Sequence, residues 1–102
     1  MALSESLALY TRPRGVGVTC LCPGPVPTGI VDQIPVFGTP QPIQAPTLAL
    51  IEAAEVGRLV VDAIKDDTFL LTTHREVHDI MRQRADDVDA FMSAQIAKLA
   101  TP

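Results

Sequence analysis

Apolar positions along this chain follow two periods in turn, one helical and one extended. Met1–Tyr10 (MALSESLALY) is good helix-forming sequence with Leu3, Leu7 and Tyr10 at helical spacing, and predicts a helix over residues 1–11. Pro13 disfavours helical geometry at Arg12, and Gly15 suits a turn, so Arg12-Pro13-Arg14-Gly15 closes that helix. Val16-Gly17-Val18-Thr19-Cys20-Leu21-Cys22 then runs apolar and β-branched with little polar alternation. Such a run predicts a strand over 16–22 buried on both faces, as in parallel sheets. Pro23 cannot continue a ladder, so it ends the strand and throws the backbone over the C-terminal edge, where open α/β sheets bind ligands.

Residues 23–50 have no period. Seven of the nine prolines fall between Pro23 and Pro46, interspersed with Ile30, Val31, Ile34, Val36, Phe37 and Ile43. A structureless stretch this long is commonly functional, and its apolar residues favour a substrate-covering loop over a polar linker. Periodicity returns at 53–65, where Val56, Leu59, Val60, Ala63 and Ile64 mark one face of a helix lying on a sheet. Asp66-Asp67 makes a turn, and Thr68–Thr72 (TFLLT) predicts a short strand over 68–72, parallel to the first through a βαβ crossover. Thr73-His74-Arg75-Glu76 fits a capping box. It opens a long helix over 74–99, with Val77, Ile80, Met81, Val88, Phe91, Met92, Ile96 and Leu99 on its apolar side and Asp86, Asp87 and Asp89 on a solvated one.

Composition narrows the functional classes. At 102 residues there is room for one modest domain, and a hydrophobic fraction of 47% excludes compositional disorder. A net charge of −4 without a basic patch argues against nucleic acid as a partner. No apolar run approaches the ~20 residues that span a bilayer, and the first residues have neither a basic n-region nor an h-region. A cytoplasmic location is expected.

Cys20 and Cys22 point to one strand face and are poorly placed to bridge each other, so they read as small apolar side chains. His74 and His78 stand one turn apart without a third ligand nearby, which reads as an exposed helix start rather than a metal site. No metal is expected.

The run LSESLALYTRPRGVGVTCLCPGPVPTGI resembles the C-terminal half of short-chain dehydrogenases/reductases, in which a helix close to A-L-S-E-S-L leads to a strand ending in P-G-x-V-x-T. Pro23-Gly24-Pro25-Val26-Pro27-Thr28 matches that motif at its fixed positions. The resemblance implies an α/β fold: the C-terminal fragment of a Rossmann-like doubly wound parallel sheet, forming a single partial domain over 1–102. It implies an oxidoreductase that passes a hydride between NAD or NADP and a small-molecule alcohol or carbonyl substrate. Pro23 and Gly24 would pack against the nicotinamide ring, Val26 N–H and C=O would bond its carboxamide, and Thr28 would reach the carboxamide or pyrophosphate. Ile30, Ile34, Val36 and Phe37 would belong to the substrate loop.

The family's glycine-rich dinucleotide turn, its catalytic serine and its Tyr-x-x-x-Lys pair are not in this sequence. The only tyrosine, Tyr10, has Arg14 four residues on and reads as a packing residue. No catalytic residue is therefore assigned, and the chain alone is expected to be inactive. Its first helix opens without a cap, and two strands would leave exposed edges. A fragment that needs its N-terminal half, or a second copy of itself as a homo-oligomer, accounts for both features. A non-catalytic oligomerisation or binding module built on the same fold is the alternative.

Overall fold

The computed structural model describes residues 1–39 and 48–100. Among them are four α-helices and one two-stranded parallel sheet: α1 (Ala2–Thr11), β1 (Cys20–Cys22), α2 (Ala53–Lys65), β2 (Leu70–Thr72), α3 (Glu76–Asp86) and α4 (Val88–Ala100). The strands pair as the crossover order requires, with Cys20 opposite Leu70, Leu21 opposite Leu71 and Cys22 opposite Thr72. Pro40, Pro42, Ile43 and Pro46 of the proline-rich stretch, and the Leu99 side chain, lie outside the described residues.

Helix α1 does not pack as its leucines predict. Leu3, Leu7 and Tyr10 are exposed, and Ser4, Ala8 and Thr11 are the half-buried positions instead. The Tyr10 ring is not a packing residue: it lies on the surface with the Arg14 guanidinium 4.0 Å above its centroid, a cation–π contact. Arg12 also departs from expectation, keeping right-handed helical dihedrals before Pro13. The chain continues through a 3-10 turn at Arg12–Arg14 and stops at Gly15, whose φ of 79° is left-handed and whose N–H returns to the Arg12 carbonyl. Thr11 Oγ1 donates to the Val16 carbonyl and seals this exit.

Both strands are shorter than their sequence runs. Val16–Thr19 carry no ladder, although the Thr19 hydroxyl donates to the Thr68 carbonyl at 2.9 Å and Cys20 N–H donates to Phe69 C=O at 2.6 Å. The limit is set by the partner, because the end of α2 takes up the chain before β2. Asp67 N–H bonds Ile64 C=O and Thr68 N–H bonds Ala63 C=O, the paired bonds of a Schellman motif. Its left-handed position is filled by Asp67, φ 52°, rather than by glycine. Asp tolerates that region better than most residues.

Helix α2 packs on β2 with Val56, Leu59 and Val60 half-buried and Ala63 buried, as the spacing predicts. Ile64 lies at the margin of that face and is exposed. Cys20 and Ala63 are the buried apolar residues among those described, and Leu21 is 38% exposed. The first strand is therefore covered on one face and open on the other, not buried on both.

The expected single helix over 74–99 is two helices, with Asp87 between them. Asp87 breaks it with extended dihedrals, φ −156° and ψ 99°. Its Oδ1 accepts the Ala90 N–H at 2.9 Å, and its carbonyl accepts the Phe91 N–H. Asp87 thus caps α4, rather than merely adding charge to a solvated face. Thr73 makes no capping box, because α3 begins at Glu76 behind Arg75 with no side-chain cap. None of the described helices is long and apolar enough to cross a membrane.

Candidate functional site

The segment Pro23–Thr28 leaves the C-terminal end of β1, the edge the sequence predicts for a ligand. Pro23, Pro25 and Pro27 have no N–H, so Gly24, Val26 and Thr28 are the only backbone donors in it. Gly24 N–H donates to Thr73 Oγ1 at 2.7 Å, and Pro25 C=O accepts Ile51 N–H at 3.1 Å. The N–H and C=O of half-buried Val26 have no partner among the described residues, nor does the exposed Thr28 hydroxyl. An unpaired donor and acceptor on one residue is the pattern that a carboxamide complements.

Gly24 is tightly constrained by its surroundings. A Cβ placed on it would overlap Nδ1 and Cε1 of His74 and stand 3.2 Å from Cγ. Only a glycine lets the imidazole lie this close to the backbone. The ring is held at both nitrogens, with Nδ1 2.8 Å from Thr73 Oγ1 and Nε2 2.6 Å from the Ala49 carbonyl. A carbonyl only accepts, so Nε2 carries a proton. In the neutral ring Nδ1 then accepts from the Thr73 hydroxyl, which itself accepts from Gly24 N–H. One polarised chain therefore runs from Gly24 through Thr73 and His74 to Ala49.

This arrangement corrects two readings. Thr73 serves the β1 exit rather than the start of α3, and His74 is half-buried rather than an exposed helix start. Their importance was invisible in sequence because Gly24 and Thr73 stand 49 residues apart. The weak signal was a Thr-His pair directly after a predicted strand, where α/β sheets build their sites.

Four residues assigned to a substrate loop do not assemble a pocket among the described residues. Ile30, Ile34, Val36 and Phe37 are all exposed, Phe37 at 90%. Two of the cavities lie elsewhere. One, of about 680 Å³, runs along the open face of β1 between Val16, Val18, Leu21, Val60 and Ile64. The other, of about 650 Å³, lies between α1, Pro13 and Phe69.

Cys20 and Cys22 are free thiols, Cys20 buried and Cys22 half-buried. Burial pushes the Cys22 thiol up, and a hydrogen bond with Cys20 and the charge of Cys20 push it further. A raised thiol is a poor nucleophile at neutral pH, which fits a packing role. Among the described residues, no three His, Cys, Asp or Glu side chains are gathered closely enough to hold a metal ion.

Comparison with known protein families, with curated proteins and with solved structures finds no match to this chain.

Proposed function

We propose that this chain is the C-terminal part of an NAD(P)-dependent short-chain oxidoreductase, and that Pro23–Thr28 is the nicotinamide-facing lip of its cofactor site. The observation that carries the reading is the N–H and C=O of Val26, unpaired among the described residues, beside the close-packed backbone of Gly24 at the C-terminal edge of a parallel strand. The motif Pro23-Gly24-Pro25-Val26-Pro27-Thr28, its resemblance to short-chain dehydrogenases and the βαβ order support the same reading. The finer fold, a piece of a Rossmann-like doubly wound sheet, belongs to this proposal.

In that role the residues would orient rather than react. Val26 would fix the carboxamide, and Gly24 would admit the ring, so that one face of the nicotinamide meets the alcohol or carbonyl substrate. The proton donor and the dinucleotide-binding turn are not in these 102 residues, so the chain alone turns over no substrate. Titration with nicotinamide mononucleotide, followed by amide NMR, tests the site. Perturbation centred on Val26 and Gly24 supports it, and an unperturbed Val26 at millimolar ligand overturns it.

Exposed apolar surface favours a second reading, a binding or oligomerisation module of the same fold without catalysis. The accessible surface is 8249 Å², against roughly 5,600 Å² for a compact chain of this mass. The radius of gyration is 16.9 Å, against about 13 Å for a compact domain of this length. Light scattering decides here: a stable monomer counts against this reading, and a homo-oligomer without nicotinamide binding favours it.

A further inference from the structure

We infer that His74 is a gate over the Gly24 shelf, its imidazole occupying the surface on which a flat heteroaromatic ligand would lie. That the ligand is a ring bearing a carboxamide rests on the nicotinamide reading above; the gate itself does not.

Three features of the geometry make a gate of what could be ordinary packing. The ring lies against a glycine whose missing Cβ is the only reason it fits. It reaches that position through its hydrogen bonds to Thr73 Oγ1 and Ala49 C=O, both neutral and each weak in net terms. Its release would uncover Gly24 beside Val26, whose donor and acceptor are unpaired among the described residues. Rotation of His74 about its side-chain bonds would break both contacts while Gly24 N–H stays on Thr73 and Ile51 N–H stays on Pro25. The strand exit therefore keeps its shape while the shelf opens. The gate also couples the shelf to the limb Leu48–Ile51, because Ala49 loses its side-chain tether in the same motion.

The test is a double-mutant cycle on the 102-residue chain, read by NMR. In the wild type, contacts are expected between the His74 ring protons and the Gly24 α-protons, together with a proton on Nε2. Gly24→Ala should expel the ring, abolish those contacts and move the Ala49 and Leu50 amide resonances as the His74 tether is lost, while exchange at the residue-24 and Ile51 amides, whose bonds remain, stays near wild type and α2 is unchanged. In Gly24→Ala/His74→Ala the added Cβ meets no ring, so the Ala49 and Leu50 resonances should match those of His74→Ala alone. Should Gly24→Ala fail to fold, a folded double variant matching His74→Ala supports the gate equally well. Simple addition of the two effects, or ring contacts that survive Gly24→Ala, overturns the gate. The ligand arm is separate: nicotinamide mononucleotide should bind His74→Ala at least threefold more tightly than the wild type. Equal or weaker binding to His74→Ala overturns the gate, whereas no binding to either protein overturns the nicotinamide reading and leaves the gate to be decided by the cycle.

Discussion

Arg12 holds Asp67 at two points, with Nη2 2.6 Å from the Oδ2 of its carboxylate and 3.0 Å from its backbone carbonyl. The pair joins the exit of α1 to the left-handed end of α2, across 55 residues of sequence. Both side chains are more than half exposed, so the ion pair itself contributes little.

Arg12→Ala is therefore expected to cost less than about 1 kcal/mol in urea unfolding, and the loss should shrink in molar salt. Asp67→Gly removes the ion pair but relieves a left-handed non-glycine residue, so its net change should lie near zero. A loss from Asp67→Gly much larger than that from Arg12→Ala would show that the left-handed turn depends on the Asp side chain itself.

Ala63 and Ile64 are neighbours on α2 with opposite consequences. Ala63 is 5% exposed against the sheet and Ile64 is 63% exposed. Ala63→Leu should destabilise by about 1–3 kcal/mol through overpacking, whereas Ile64→Ala should stay within about 0.5 kcal/mol. Denaturant midpoints check both, and the reverse order would contradict this packing of α2.

Asp87 should behave as a cap. Asp87→Ala is expected to cost about 1 kcal/mol and to reduce helical circular dichroism, while Asp87→Asn retains most of both. Equal losses from the two variants would point to charge rather than the Oδ1 bond to Ala90.

Cys22 gives a pH-dependent prediction. Its folded thiol is raised by burial and by Cys20, so the native state holds the proton more tightly than the unfolded chain. The resulting stability is fully present below the unfolded thiol value, roughly 8.5, and is lost as pH climbs through the higher folded one. Native Cys22 should alkylate with iodoacetamide only at more alkaline pH than the urea-unfolded chain. Coincident pH profiles would contradict the assignment.

What the sequence disclosed was whatever depends on near neighbours. The 3.6-residue spacing of Val56, Leu59, Val60 and Ala63 marked the buried face of α2 correctly, and strand–helix–strand order was enough to make β1 and β2 parallel. The misses all turn on distant partners or competing local bonds. Val18 is as β-branched as any strand residue but has no ladder, because β2 offers only Leu70–Thr72. Asp87 interrupts a continuous apolar spacing because one carboxylate oxygen competes for the Ala90 amide. Thr73 fits a capping box, yet Gly24, remote in sequence, takes its hydroxyl. At the candidate site, Gly24 and Val26 were legible from prolines and motif, while His74 required the fold.

The Pro25–Ile51 bond has one further consequence. It pins together the two feet of a long excursion at the place where that excursion leaves the sheet. Closure entropy grows only logarithmically with the number of residues enclosed, about 0.6 kcal/mol for each doubling. Residues can therefore be added or removed between the feet at small thermodynamic cost, without disturbing the strand pair. The length of this stretch can change from one variant to another while the shelf at its feet is preserved.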